Sequence, residues 1–376
     1  MGIPVAIDVT PLVGIRTGIG NAVAELITSF ASLEAAPTLV PYALSLRARE
    51  HRGDLPEGTR FPPIPARALL ASWGRADAPK LDFWLKPARV LHATNYLAPP
   101  SRLPVVVTIN DCSFARYPEL CTPEVRALTP VLRRSIRRGA TVHVPSAFVA
   151  GEVDELFGPG LAGTGRLAVV PWGVPPVTTH GTEPPEAEIT EIVGGAPYVL
   201  AIGSLEPRKN LPYLVAAFGA MADAHPELRL VLAGPDGPAR PAVDAAIAAL
   251  SVDARARVVI TGAVSDAGRV ALLAHAHVLA YPSLYEGFGF PVLEAMSIGV
   301  PVVAARAGSI PEVAGDAATL VGPTDVRALA DALAALVDDD TRRAEQVARG
   351  RDQARRFSWI DTAHGLAALY RRLAGS

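Results

Sequence analysis

The sequence predicts an α/β protein with two domains, each built on a parallel sheet. The chain has 376 residues, more than one hydrophobic core usually serves, and half of them are apolar. Short β-rich runs alternate with helical patterns, which is typical of parallel sheets with right-handed crossovers. Residues 173–197 are rich in Pro, Gly and acidic side chains, unlike the sequence on either side, and we interpret them as an interdomain hinge.

The N-terminal domain, residues 1–172, is expected to hold strands at 5–9, 105–109, 142–144 and 168–170. A helix with one apolar face is predicted between the first two strands. That face comprises Ala22, Val23, Leu26, Ile27, Phe30 and Leu33.

The C-terminal domain, residues 198–356, repeats the alternation. Its predicted strands are 198–202, 229–233, 257–260, 277–281, 301–304 and 318–321. The last segment, 357–376, has apolar residues at helical spacing and is expected to pack back on the N-terminal domain.

Composition narrows the function classes. A formal net charge of −2 gives no bulk attraction to nucleic acid. No Lys or Arg precedes the first apolar run, so no secretory signal is predicted and a cytoplasmic protein is expected. Cys112 and Cys121 show no metal-ligand spacing and are interpreted as free thiols, and no metal site is predicted.

The motif YEGFGFPVLE contains Glu286 and Glu294. Gly287 and Gly289 leave backbone amides open to a ligand, and Pro291 suits the first turn of a helix. A helix start offers unpaired N–H groups to a diphosphate, while the flanking carboxylates can accept hydrogen bonds from sugar hydroxyls. The alternative is that both glutamates simply cap and solvate the helix.

The motif GSLEPRKN follows the strand predicted at 198–202. Gly203 turns the chain, Arg208 and Lys209 are adjacent cations suited to a pyrophosphate, and Asn210 is expected to cap the next helix. Such a pair is usually a solvated surface. Here it lies at the carboxyl end of a strand, as Glu286 does, and ligands of open α/β sheets bind at that edge.

Two further turns are candidates. TGIG places Gly18 and Gly20 between the first strand and first helix, where backbone could approach a diphosphate, although a plain tight turn is the alternative. The third glycine position of a dinucleotide fingerprint is Val23, which disfavours an NAD site. Asn110 and Asp111 end the strand at 105–109, and Asp111 could instead cap the following turn.

Together, GSLEPRKN, the block beginning YEGFGFPVLE, TGIG and the FSW at 357–359 resemble the retaining glycosyltransferases of family four over nearly the whole chain. The resemblance implies the GT-B fold, with two Rossmann-like domains facing a cleft and a C-terminal helix crossing back. It also implies that the N-terminal domain, 1–172, binds the acceptor and the C-terminal domain, 198–356, binds the nucleotide sugar. DVTPL and TINDCSFARYPEL are most similar to bacterial O-antigen and polysaccharide mannosyltransferases. That likeness implies a nucleotide-sugar donor, GDP-mannose first and a UDP-sugar as the alternative, and a glycan or lipid-linked acceptor.

The resemblance also implies roles. Arg208 and Lys209 would neutralise the leaving diphosphate without a metal. Glu286 would orient the donor sugar, and Glu294 would bind the ribose. The remaining donor contacts implied are the main-chain groups of Gly18, Gly20, Gly262, Ala263, Gly287, Phe288 and Gly289.

Asn110 departs from the family pattern, which usually has histidine there. Its amide can still bond a sugar hydroxyl but cannot titrate near neutrality, so proton transfer at this position is not expected.

Arg133, Arg134, Arg137 and Arg138 end a helix predicted to start at residues 122–123. A solvated face is the first interpretation. Peripheral docking to an anionic lipid surface at the inner membrane face, or to a phosphate-bearing acceptor, is the alternative. Nearby aromatic and basic side chains, more often core, would assist it: Trp73, Phe83, Trp84 and Lys86.

Two rival functions share the architecture. A non-hydrolysing nucleotide-sugar 2-epimerase would need an acid/base set, for which only Asp111 is a candidate. A non-enzymatic nucleotide-sugar-binding protein is suggested by Asn110 but disfavoured by the presence of both glutamates and both cations.

Overall fold

The computed structural model describes residues 2–14, 18–120, 123–174 and 193–375. The chain divides into two compact units. The N-terminal unit comprises Met1–Pro175 and Phe357–Ser376, and the C-terminal unit comprises Pro176–Arg356. Most of the segment interpreted as a hinge, 173–197, lies outside the described residues.

The N-terminal unit is built on six parallel strands in the order β2-β1-β3-β4-β5-β6. They are β1 (Pro4–Asp8), β2 (Thr38–Tyr42), β3 (Val90–Ala93), β4 (Val105–Thr108), β5 (Thr141–Val144) and β6 (Leu167–Val169). The four predicted strands are confirmed. The sequence did not predict two of the strands. Strand β2 contains Pro41, a residue with low propensity for strands, and strand β3 is short and contains the polar His92 among its apolar residues.

Helices surround this sheet. They are α1 (Gly18–Ala31), α2 (Ala66–Trp73), α3 (Ser113–Arg116), α4 (Pro123–Arg126), α5 (Leu128–Arg137) and α6 (Ala147–Phe157). The predicted apolar face of α1 is confirmed, since Ala22, Val23, Leu26 and Phe30 are buried. Short 3-10 turns occur at Thr10–Leu12, Leu46–Arg49, Arg52–Asp54, Pro118–Leu120 and Ala162–Thr164.

The C-terminal unit also has six parallel strands, in the order β12-β11-β10-β7-β8-β9. They are β7 (Tyr198–Ile202), β8 (Arg229–Ala233), β9 (Val258–Gly262), β10 (Val278–Tyr281), β11 (Val302–Ala305) and β12 (Thr319–Val321). All six predictions are confirmed with small boundary shifts. The order is that of a doubly wound Rossmann sheet, whose direction of growth reverses between β7 and β10.

Helices cover the faces of this second sheet. They are α7 (Leu211–Met221), α8 (Arg240–Ala248), α9 (Val252–Arg255), α10 (Asp266–Ala274), α11 (Phe290–Ile298), α12 (Ile310–Ala314), α13 (Val326–Asp338) and α14 (Asp340–Ala354). Further 3-10 turns are Pro207–Lys209 and Ala222–Ala224. The core lies between β7, β8 and helices α7 and α13, around Val199, Leu214, Phe218 and Leu333.

The last helix, α15 (Trp359–Ala374), belongs to the N-terminal unit and packs against α1. Ser358 caps it by accepting the backbone N–H groups of Ile360 and Asp361. Tyr370 places its ring 5.8 Å from that of Phe30, centroid to centroid. None of the helices in the described ranges is both long and apolar enough to cross a membrane.

Candidate active site

The two charged motifs of the C-terminal unit meet at the point where its sheet reverses. Arg208 and Lys209 lie in the connection after β7, and Glu286 lies in the connection after β10. Because β7 and β10 are paired, with Val278 opposite Val199, their carboxyl ends are adjacent. The expectation that both loops lie at the same carboxyl edge of the sheet is therefore confirmed, while ligand binding at that edge stays a prediction.

Glu286 is the centre of a buried charge cluster. Its Oε1 accepts hydrogen bonds from Lys209 Nζ at 2.7 Å and from Arg208 Nη1 at 2.9 Å. Lys209 also donates to the hydroxyl of Tyr281 at 2.9 Å, and Arg208 Nε donates to Glu206 Oε2 at 2.8 Å. Only 8% of Glu286 is exposed, so these ion pairs are little screened by water.

The charge cluster lowers the pKa values of both Lys209 and Glu286. Burial lowers the pKa of Lys209, while Glu286 partly opposes that shift. Burial by itself would raise the pKa of Glu286, but Lys209 and Arg208 more than offset it, and the pKa falls below its usual value. The geometry therefore favours a charged carboxylate held by two cations.

Glycines let the backbone approach this cluster. Gly203 has a φ of +138°, and a Cβ there would lie 3.3 Å from Lys209 Cε. Gly234, with a φ of +151°, is pressed against the backbone of Gly203, and a Cβ would collide with it. Gly308 likewise lies against the backbone of Glu286.

Helix α11 starts as the motif predicts. Gly289 is its N-cap residue in the left-handed region, with a φ of +94°, and Pro291 occupies the first turn. No side chain caps this end, which lies in the connection after β10 at the carboxyl edge of the sheet. Phe288 is buried and packs edge-on against Phe290, which is only partly buried.

Glu294 has a partner that the motif did not indicate. It is buried in the second turn of α11, and its Oε2 accepts a hydrogen bond from Arg269 Nη1 at 2.5 Å. Arg269 lies on α10, and its side chain is one-quarter exposed. Nothing in the local sequence distinguishes Arg269 from a surface arginine, because the pairing depends on how α10 and α11 are packed.

Two turns of the C-terminal unit were predicted to have specific roles, at Asn210 and at Gly262 with Ala263. Asn210 precedes α7, but its side chain does not cap that helix; Nδ2 instead donates to the carbonyl of Pro323 at 2.8 Å. Asn210 adopts a φ of +54°, a conformation that asparagine tolerates better than most residues. Gly262 ends β9 with a φ of +68°, and Ala263 follows it. Their main-chain contacts with the donor, which the resemblance implies, stay a prediction.

The candidate residues of the N-terminal unit are placed differently from expectation. Gly18 and Gly20 belong to the first turn of α1 rather than to a loop, because the helix begins at Gly18. Thr17, the start of the TGIG motif, lies outside the described residues. Asp111 Oδ1 accepts hydrogen bonds from the backbone N–H and hydroxyl of Ser113 at 2.9 and 2.7 Å, which is the capping alternative.

Asn110 is oriented by Trp172. The indole Nε1 donates to Asn110 Oδ1 at 3.1 Å, and because an indole N–H can only donate, the contacting atom must be the carbonyl oxygen. Asn110 Nδ2 is buried and has no hydrogen-bond partner among the described residues. Trp172 was not singled out by the sequence, since a lone tryptophan after a strand is usually core.

A chain of buried hydrogen bonds runs under Trp172. His143 Nε2 donates to the carbonyl of Val170 at 2.9 Å, so Nδ1 of the neutral ring accepts from the Thr108 hydroxyl at 2.8 Å. Thr108 in turn accepts from His92 Nε2 at 2.7 Å. Burial lowers the pKa of His143 to about 4, which keeps the ring neutral.

Three of the four arginines of the predicted cluster contact side chains of the protein itself. Arg134 Nε and Arg138 Nη1 both donate to Asp77 Oδ1, at 2.6 and 2.9 Å. Arg133 lies over the ring of Phe157. The predicted single helix is also divided into α4 and α5, so these arginines lie on α5 and at its end.

The aromatic residues near that cluster divide between core and surface. Trp73 is fully buried, as expected of core, and Phe83 is 74% exposed with Lys86 over its ring. Among the cysteines, Cys112 is buried, and Cys121 lies outside the described residues.

Comparison with known proteins agrees with this geometry. Residues 183–353 match the family of glycosyl transferases group 1. The O-antigen chain mannosyltransferase B of Escherichia coli is 31% identical over 274 residues, which cover 72% of this chain and 71% of that protein. The chain is a group 1 glycosyltransferase.

Other relatives of this glycosyltransferase are shorter matches. The MMP alpha-(1->4)-mannosyltransferase of Mycolicibacterium hassiacum is 36% identical over 55% of this chain and 48% of its own length. The E. coli mannosyltransferase WbdA is 30% identical over 48% of this chain, which spans 22% of WbdA.

Solved structures establish the fold. The lipopolysaccharide-biosynthesis glycosyltransferase WaaG superposes with a TM-score of 0.71 at 16% identity, covering 97% of this chain and 99% of WaaG. Anabaena HepE in complex with UDP and glucose gives a TM-score of 0.73 at 16% identity, covering 98% of this chain and 100% of HepE. The fold class is therefore GT-B, as the sequence predicts, with a Rossmann-like sheet in each unit.

Proposed function

We propose that this glycosyltransferase transfers mannose from GDP-mannose to a glycan or lipid-linked acceptor, with retention of the anomeric configuration and without a metal. One observation carries the proposal: Arg208, Lys209 and Glu286 form a single buried cluster at the switch point of the C-terminal sheet. That position is where a doubly wound sheet binds a nucleotide.

The chemistry follows from the charges. Breaking a sugar–phosphate bond leaves a diphosphate whose negative charge grows in the transition state. Lys209 and Arg208 supply fixed positive charge there, and the amides of Gly287 and Gly289 at the start of α11 add oriented dipoles. Two cations held in place by Glu286 need little reorganisation when the charge develops.

The two glutamates suit two parts of the donor. Both cations bind Oε1 of Glu286, and we assign Oε2 to a hydrogen bond from a sugar hydroxyl. Arg269 holds Oε2 of Glu294, and Oε1 has no hydrogen-bond partner within the described part of the chain. That oxygen is suited to a ribose hydroxyl.

Mannose is supported by the names of the relatives, whereas GDP rests on the sequence resemblance alone. Two proteins at 31% and 36% identity are named as mannosyltransferases. A UDP-sugar remains the alternative donor. For membrane contact, the exposed Arg133 and Arg137 are the candidates left after Arg134 and Arg138 pair with Asp77.

The test is product analysis by NMR. The protein is incubated with GDP-mannose or a UDP-hexose, together with octyl α-mannoside as acceptor. We expect a new α-linked mannoside and free GDP. An inverted linkage would exclude retention, a C2-epimerised donor would identify an epimerase, and activity confined to the UDP-hexose would overturn the donor assignment.

A further inference from the structure

A cavity lies at the amino edge of the C-terminal sheet, opposite the edge that carries Arg208, Lys209 and Glu286. Strands β10 and β11 are paired, with Leu279 opposite Val302, so the segments that precede these two strands are adjacent. The cavity lies beside those segments. Its volume is about 530 Å³, which is within the range of small-molecule sites.

Three parts of the C-terminal unit line this cavity. Residues 275–277 join α10 to β10, and Gly299 and Pro301 lie between α11 and β11. The third wall is one face of α14, from Asp340 to Arg351. The apolar part of the lining consists of small side chains: Ala276, Pro301, Ala344, Val347 and Ala348.

The charged and titratable groups of the lining are mostly basic. Arg343 and Arg351 lie on α14, and His275 and His277 lie on the segment between α10 and β10. Among the lining residues that the structure describes, Asp340 is the one acid, and it already accepts a hydrogen bond from Arg343 Nη2. The cavity therefore has an excess of positive charge, which favours an anionic ligand.

Arg343 is a cation held in place by the fold. Its Nη1 donates to the carbonyls of Leu336 at 2.7 Å and Val337 at 3.3 Å, in the last turn of α13. Burial lowers the pKa of His277, and the charge of Arg343 lowers it further, while Asp340 opposes the shift. An anion in the cavity would offset the positive charge that acts on His277.

Arg351 is a cation that the protein leaves without an ion pair. Its guanidinium lies against Gly299, the C-cap residue of α11, where a Cβ would be 2.4 Å from Nη2. Gly299 has a φ of +86°, so both its backbone conformation and this contact require glycine. Within the described part of the chain, no acceptor pairs with this guanidinium. Its donors are therefore available for bidentate binding of a phosphate group.

We propose that this cavity binds a small molecule that carries a phosphate group. Arg351 binds the phosphate, Arg343 adds fixed positive charge, and the small apolar side chains contact the rest of the ligand. Because the cavity is larger than a single phosphate ion, a phosphate ester suits it better than the free ion. The site is separate from the candidate donor site and does not depend on the proposed sugar transfer.

The experiment measures binding of phenyl phosphate by saturation-transfer NMR, with and without GDP. Arg351→Ala removes the cation. Arg349→Ala is the matched control, because Arg349 lies on the same helix, is exposed and does not line the cavity. Ala348→Glu keeps every arginine and places a carboxylate in the cavity, so it tests the site even where Arg351→Ala loses stability. Melting temperatures show whether each variant is folded.

We expect the wild type and Arg349→Ala to bind phenyl phosphate equally, whether or not GDP is present. Arg351→Ala should bind it about tenfold more weakly, because a charge-assisted contact is lost, and Ala348→Glu should show no binding. Inorganic phosphate should displace the ester only at a much higher concentration.

Four results would overturn the proposal. Equal weakening in Arg349→Ala and Arg351→Ala would reduce the binding to a general attraction to a basic helix, and unchanged binding in Arg351→Ala would exclude its guanidinium as the ligand. Displacement by GDP would place phenyl phosphate in the donor site. An absence of binding to the wild type would exclude this class of ligand. Displacement by inorganic phosphate at equal concentration would overturn the preference for an ester.

Discussion

Replacing Glu286 by Gln should destabilise the free protein and depress turnover, yet leave the binding of a free nucleoside diphosphate intact. Glu286 accepts two charge-assisted hydrogen bonds, at 2.7 and 2.9 Å, and it is almost fully buried. The variant would leave the ammonium of Lys209 and the guanidinium of Arg208 without this carboxylate.

The magnitude follows from that burial. Removing one partner of a buried ion pair costs about 3–5 kcal/mol, and the amide oxygen of Gln recovers part of this. A loss of about 3 kcal/mol corresponds to a fall in melting temperature of about 6–12 °C for a unit of this size. A free diphosphate competes with Glu286 for the same two cations, so its affinity should stay equal or rise.

Glu294→Gln is the matched control. Glu294 is as buried as Glu286 but pairs with one arginine instead of two cations, so its stability loss should be smaller. We expect this variant to bind free GDP less tightly, because GDP has a ribose, and to lose less turnover at saturating donor than Glu286→Gln loses.

Steady-state kinetics, calorimetry with GDP and thermal unfolding of the two variants give the result. The reasoning is refuted if Glu286→Gln weakens GDP binding more than Glu294→Gln does. It is also refuted if Glu286→Gln leaves both the melting temperature and turnover unchanged.

Three further predictions test other parts of the structure. Gly234→Ala should lower the free energy of unfolding by well over about 1 kcal/mol, because a Cβ there collides with the backbone of Gly203. Gly195→Ala should cost less, because Gly195 also has a positive φ but open space around it. Equal losses would show that the contact between Gly234 and the Gly203 backbone is unimportant. The pKa of His143 is about 4 in the folded protein and 6.5 in the unfolded chain, so the neutral ring contributes fully to the free energy of unfolding above pH 6.5. That contribution falls by about 3 kcal/mol as the pH drops from 6.5 to 4. Thermal unfolding of His143→Gln should lack this part of the pH dependence. Asp111→Asn should retain turnover and stability, since the oxygen that caps Ser113 is preserved, and a loss of turnover alone would make Asp111 catalytic.

Much of the candidate site could be predicted from local sequence patterns. Gly289 and Pro291 define the start of α11 by backbone conformation alone, and both lie where the motif indicates. The meeting of Lys209 with Glu286 followed from a single topological rule, that parallel strands share a carboxyl edge.

Other features depended on packing that no local pattern encodes. The Arg269–Glu294 pair joins two helices, and Asn210 bonds a carbonyl more than a hundred residues away. Strand β2 was missed because Pro41 is tolerated at the edge of the sheet, where β1 is the strand that pairs with β2 in the described sheet. Gly18 was predicted to lie in a loop because glycine is common there, but it begins helix α1.

The central claim is that Arg208 and Lys209 bind the diphosphate of the donor. The most direct measurement is a thermal-shift panel of GDP, UDP, ADP and dTDP on the wild type and on Lys209→Ala. The account predicts a selective shift with GDP in the wild type, which falls or disappears in the variant because a charge-assisted contact of about 1.5–3 kcal/mol is lost. A GDP shift of equal size in both proteins, or no shift with any nucleotide in the wild type, would contradict it.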